Sequence, residues 1–149
     1  MTTWYKIENK ADTRSADLYL YDEIGGYGVN AHQFINDLNQ IDADQITVNI
    51  NSVGGEVFEG FTIYQALKDH DAEILVKVEA LAASIASVIA MAGDEVEMAR
   101  NAQFMIHDGH VAMQGTASEM SKMVSMLNRV SDNIASVYAE RCGGEPTEW

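Results

Sequence analysis

The chain has 149 residues, with 9 lysines and arginines against 23 aspartates and glutamates, for a formal net charge of −14. That balance argues against nucleic acid and anionic membrane as partners, since both require cationic patches. The length is that of one domain, and 47% hydrophobic residues suffice for a core. No apolar run approaches the roughly 18 residues of a membrane span. With its acidic, polar N-terminus no signal peptide is expected, and Cys142 alone cannot close an internal disulfide, so a reducing, cytoplasmic setting is expected.

In chain order, a first strand is expected around Leu18-Tyr19-Leu20-Tyr21, leading into a glycine turn at Gly25-Gly26. Asn30 can cap a helix whose Phe34, Leu38 and Ile41 recur at i, i+4 and i+7. In Gln45 to Ile50, the β-branched Ile46, Val48 and Ile50 share one face of a strand. After Gly54-Gly55, the apolar Val57, Phe61 and Tyr64 predict a helix reaching about Asp69. Ile74 to Glu79 reads as a strand whose first part, through Leu75, is buried on both faces. Ser84 to Ala92 predicts a helix of small residues closed by Gly93, followed by short strands at Glu95–Met98 and Gln103–Ile106. Thr116-x-x-Glu119 is a capping box opening a helix to Arg141. Its stripe of Met120, Met123/Val124, Leu127, Val130, Ile134 and Val137 is close to heptad spacing, and Gly143-Gly144 ends it. Alternating strands and helices with short connections imply parallel pairing and an α/β domain. The last helix is too long for so small a domain to cover, so its methionine-rich stripe is expected to meet another chain; the plainer alternative is ordinary core packing.

Three segments carry the chemistry. Leu81-Ala82-Ala83-Ser84-Ile85-Ala86-Ser87 puts a serine at a helix start, where backbone N–H groups carry partial positive charge and small neighbours admit a substrate. The plainer alternative is an N-cap serine. Asn51-Ser52-Val53-Gly54-Gly55 joins a strand to a helix; its glycines open backbone geometry closed to other residues, so the N–H groups of Gly55 and Ile85 can hold an oxyanion. The plainer alternative is a tight turn. Phe104-Met105-Ile106-His107 ends a short strand on a histidine able to take the Ser84 proton and return it to a leaving amine. The plainer alternative is a hydrogen-bonded structural histidine at a strand end. His110 competes with it from a loop, while His32 and His70 fall on polar helix faces. His107-x-x-His110 lacks a further ligand pair, so neither a metal nor a cofactor is expected.

Taken together, Asn51 to Gly55, Ala82 to Ser87 and Met105 to His107 resemble the three signature segments of the Clp protease proteolytic subunit, ClpP. Leu20 to Val29 and Val88 to Glu95 are also similar, most of all to the branch encoded by tailed phages and prophages as head maturation proteases. The resemblance runs from about Asp17 to Gly143. It implies a ClpP/crotonase-type fold of repeated β-β-α units with a long projecting handle helix. It also implies a serine endopeptidase with Ser84 as nucleophile, His107 as general base, and the Gly55 and Ile85 N–H groups as oxyanion hole. Polypeptide substrates, capsid or scaffold protein among them, homo-oligomeric rings with handle-helix contacts, and an ATPase partner belong to the same implication.

Two departures stand out. The family's Ser-Pro-Gly-Gly is Ser52-Val53-Gly54-Gly55 here, which removes a residue that pre-sets the turn. The family's triad aspartate lies downstream of the handle helix, and no position matches it, so the chain is expected to be truncated before that acid. Asp108 is a poor substitute, because adjacent side chains on a strand point to opposite faces. A catalytically impaired assembly module is therefore the alternative expectation. Acyl-CoA chemistry on the shared superfamily fold has no need of the Ser84 and His107 pair.

Overall fold

The computed structural model describes residues 5–26 and 30–149. Tyr27, Gly28 and Val29, the end of the similar segment that begins at Leu20, lie outside the described residues. The chain divides into two compact units, Met1–Ile106 and His107–Trp149.

In the first unit the elements run β1 (Tyr5–Lys10), β2 (Ser15–Ile24), α1 (Ala31–Leu38), β3 (Gln45–Gly55), α2 (Val57–Lys68), β4 (Glu73–Ala83), α3 (Ile85–Ala90), β5 (Glu95–Met98) and β6 (Gln103–Met105). They build one sheet ordered β1-β2-β3-β4-β5, with β6 also on β4. Among the described residues only the β1–β2 pair is antiparallel. The expected α/β layering is present.

Period-2 patterning explains the register. Ala16, Leu18 and Leu20 of β2 stand opposite Ile46, Val48 and Ile50 of β3, which stand opposite Ile74, Val76 and Val78 of β4. All nine are buried, forming three cross-strand rows. Slipping any strand by one residue would turn its row to the opposite face, so burial fixes the register. Phe34 and Leu38 of α1, Ile63 and Leu67 of α2, and Ile85, Val88 and Ile89 of α3 complete the core. On the opposite face Leu75 is half-buried rather than enclosed, with Lys77 half-buried and Glu79 exposed along the same side.

Three further expectations need correction. The core face of α2 is Gly60, Ile63 and Leu67, whereas Val57, Phe61 and Tyr64 are half-buried. The stripe is rotated because a glycine, invisible to hydrophobic patterning, marks the closest approach of α2 to α3. His70 lies beyond α2, where its Nδ1 accepts the Ala72 N–H at 3.1 Å, so it braces a turn rather than facing solvent on a helix. β4 runs on to Ala83, four residues past the expected end at Glu79. Leu-Ala-Ala has little intrinsic strand preference; β6 supplies it, pairing Gln103, Phe104 and Met105 with Leu81, Ala82 and Ala83.

The contact at Gly60 carries a stability prediction. A Cβ there would overlap Ile85 Cγ1, and Ile85, β-branched and 1% exposed, has little room to turn aside. Glycine to alanine in a helix interior ordinarily gains about 1 kcal/mol, while overpacking costs about 1–3 kcal/mol. Gly60→Ala is therefore expected to lower Tm by several degrees in a thermal melt; a raised Tm would show that the two helices part readily.

The second unit holds α4 (Ala117–Cys142) and a short 3₁₀ turn, Pro146–Glu148. The expected capping box is present: the Glu119 carboxylate accepts the Thr116 N–H at 2.7 Å, and these Thr116 bonds hold its pKa below the usual carboxylate value. Gly143 ends the helix with φ 83°, its N–H donating to the Ala139 carbonyl. Of the expected stripe Val130 is buried, Leu127, Ile134 and Val137 are half-buried, and Met120 and Val124 are 45% and 57% exposed. No described helix is long and apolar enough to cross a membrane.

Candidate active site

Ser84 stands between β4 and α3, half-buried, with φ 55° and ψ −130°. Non-glycine residues avoid that region at a cost of order 1–3 kcal/mol, and such strain concentrates where function requires it. The geometry also separates the two readings of this serine. An N-cap residue has extended backbone and a side chain that accepts from the first helical turn, but Ser84 has neither the extended backbone nor a capping hydrogen bond.

What holds the strained turn is visible residue by residue. The Ser84 N–H donates to the Met105 carbonyl at 2.8 Å, so β6 continues its pairing as far as the serine. The Ser84 carbonyl accepts twice, from the Ser87 N–H at 3.0 Å and from the Ser87 hydroxyl at 2.5 Å. Ser87 is fully buried, which makes that second bond part of the core. Ile85, 1% exposed, anchors the first turn of α3 against Gly60 of α2.

The glycine segment lies beside this turn. A Cβ on Gly54 would stand 2.6 Å from the Ala83 carbonyl oxygen, 2.7 Å from Ser84 Cβ and 3.1 Å from the Ile85 nitrogen. A Cβ on Gly55 would overlap the Ile24 carbonyl oxygen. Gly54 and Gly55 have φ 90° and 154°. Close approach and backbone conformation thus both demand glycine, one facing Ser84 and the other facing β2. The first unit brings Ser84, Ile85 and Gly54 together, with Gly55 next along the chain and packed on β2.

His107 opens the second unit and is exposed. Its Nδ1 lies 2.6 Å from the Asp108 carbonyl oxygen. A carbonyl only accepts, so this contact is a hydrogen bond in the tautomer with the proton on Nδ1, the one a general base acting through Nε2 needs. The His110 ring is tilted against it with centroids 5.2 Å apart. In the same unit the Gly109 N–H donates to Ser131 Oγ at 3.2 Å, tying this segment to α4. Among the described residues no group of three or more His, Cys, Asp or Glu side chains is placed to hold a metal ion.

Residue reasoning gave Ser52 no role. It is 2% exposed, and its hydroxyl accepts the Gly54 N–H at 3.1 Å and donates to the Asp22 carbonyl. The available signal was a serine two residues before a glycine, the spacing of a side-chain-closed turn.

A strained serine on a strand-to-helix turn, with Gly54 packed against it in an α/β sheet, has the local backbone pattern of a nucleophile elbow. The family model described as Clp protease matches residues 3–148. The chain belongs to the Clp protease family, as its signature segments implied. Among its relatives, the ATP-dependent Clp protease proteolytic subunit 1 of Shouchella clausii is 32% identical over 103 residues, 68% of this chain and 53% of that protein. The ATP-dependent Clp protease proteolytic subunit of Deinococcus radiodurans is 28% identical over 96 residues, 63% of this chain and 47% of the relative. That of Chlorella vulgaris is 29% identical over 119 residues, 76% and 59% respectively. The chain spans about half the length of the curated relatives it matches.

Proposed function

We propose that the chain carries the active site of a Clp-type serine endopeptidase. Ser84 attacks the scissile carbonyl and His107 Nε2 accepts its proton. The proton passes to the leaving amine, and water, activated by the same imidazole, then hydrolyses the acyl-enzyme. The Gly55 and Ile85 N–H groups receive the oxyanion. The observation that carries this reading is the strained, non-capping backbone of Ser84 beside Gly54.

Amide directions support the choice of Gly55. The Gly54 N–H is taken by Ser52 Oγ and the Glu56 N–H by the Ile24 carbonyl at 3.0 Å. Strand alternation then turns the intervening Gly55 N–H towards β4 and its serine. The Ile85 N–H, at N1 of α3, is one of the first-turn amides left without a helical acceptor.

The substrates in this reading are polypeptides, and the sequence segments similar to phage and prophage members favour capsid or scaffold precursors in a cytoplasmic host. Copies of the chain assemble into rings that stack through the exposed apolar side of α4, with an ATPase as a further partner. A fluorophosphonate, which labels only an activated serine, tests the central part on the full gene product. Labelling at Ser84 that disappears in Ser84→Ala is expected. Large rings without any label would instead favour the impaired assembly module.

A further inference from the structure

The glycine segment has to keep one amide aimed at the nucleophile although the residue between Ser52 and Gly54 is Val53, 59% exposed, which neither fixes φ nor packs. Both edges of β3 lose register at this point. On the β2 side the pairing steps from Tyr21↔Asn51 to Glu23↔Gly54, and on the β4 side from Ile50↔Val78 to Ser52↔Ala82. Ladder hydrogen bonds are interrupted at such bulges, and Asp22, at the first of them, has the left-handed φ of 65°. The Ser52 hydroxyl is the group that joins these irregular stretches. It is buried, takes the Gly54 N–H at 3.1 Å, and gives its proton to the Asp22 carbonyl.

We propose that Ser52 is the positioning residue of the oxyanion hole, its hydroxyl latching Gly54 to the β2 bulge so that the Gly55 N–H faces Ser84. The inference rests on the roles given to Ser84 and Gly55 above. The latch acts in two ways. It consumes the Gly54 amide, which would otherwise be an unsatisfied donor one residue from the working one. It also supplies the restraint that proline at position 53 would have given through its ring.

The test uses Ser52→Ala, with Ser52→Thr as the variant that keeps the hydroxyl. In hydrogen–deuterium exchange read by NMR, the Gly54 amide is expected to exchange at least about tenfold faster in Ser52→Ala, a factor typical of one lost hydrogen bond. The Val48 and Ile50 amides keep their protection, and Ser52→Thr restores that of Gly54. Phosphonylation of Ser84 by a fluorophosphonate is expected to slow about tenfold, and peptide hydrolysis to lose kcat with KM held within about twofold, a smaller loss than removing an oxyanion donor outright. Should Ser52→Ala fail to fold, Ser52→Cys, close in volume but a weak hydrogen-bonding group, takes its place. Unchanged Gly54 exchange, or wild-type phosphonylation in a variant lacking the hydroxyl, overturns the proposal. A wild-type protein that resists the reagent overturns the catalytic reading instead, while the exchange rates still decide the latch.

Discussion

Ser84→Ala is expected to lower peptide-bond turnover by a factor on the order of 10⁶, the loss seen when one member of a serine protease's catalytic unit is removed. His107→Ala is expected to fall by a comparable factor, and the double variant by hardly more, because in the proposed mechanism the two groups act on one proton. At about 1.36 kcal/mol per decade, each loss amounts to roughly 8 kcal/mol of barrier. Neither substitution disturbs the buried rows of β2, β3 and β4. Alanine at 84 removes only the hydroxyl, and the Met105 and Ser87 bonds to the backbone of residue 84 remain available. Melting temperatures close to the parent are therefore expected, and relief of a strained residue is not, since alanine dislikes φ 55° as much as serine does. Steady-state hydrolysis and a thermal melt on the same samples check both halves. Additive losses in the double variant would mean that the two residues work separately.

Gly54→Ala is the second large effect, and it strikes stability and chemistry together. The new Cβ would meet the Ala83 carbonyl oxygen at 2.6 Å and Ser84 Cβ at 2.7 Å, both on the nucleophile turn. Backbone on one side and the strained serine on the other leave no flexible side-chain end to yield. Overpacking costs about 1–3 kcal/mol, and a non-glycine residue at φ 90° adds about 1–2 kcal/mol. A loss of about 2–5 kcal/mol corresponds to a fall in Tm of roughly 5–15 °C for a chain of this size. Gly26 is the matched control: its φ is 91°, but a Cβ there meets nothing within 4 Å. Gly26→Ala is expected to show the conformational cost alone. Equal melts for the two variants would remove the argument that Gly54 is packed against Ser84.

Residues whose pattern is set by one face of a sheet were legible from the sequence alone. Ile46, Val48 and Ile50 announce their strand because a period-2 row is a local property, and the Thr116 to Glu119 box announces α4 for the same reason. β1 was not foreseen: Tyr5 is its one buried side chain, and the other residues, charged or amide except Ile7, suit an edge strand stabilised by its partner β2. The extension of β4 to Ala83 and the rotated face of α2 depend on β6 and on Ile85, which lie far along the chain or across a helix interface. The site followed the same division. Ser84 and the glycine pair could be found as a motif, whereas the non-capping backbone of Ser84 depends on its bonds to Met105 and Ser87, and the bonding of the buried Ser52 hydroxyl on the bulges of β3. No propensity encodes them.

The most direct measurement is a crystal structure of the full gene product after reaction with a fluorophosphonate. The account predicts phosphorus bonded to Ser84 Oγ, one phosphoryl oxygen about 2.7–3.1 Å from both the Gly55 and Ile85 nitrogens, and the Nε2 edge of His107 turned towards the adduct. An adduct on another residue, or a phosphoryl oxygen turned away from those two amides, would contradict it.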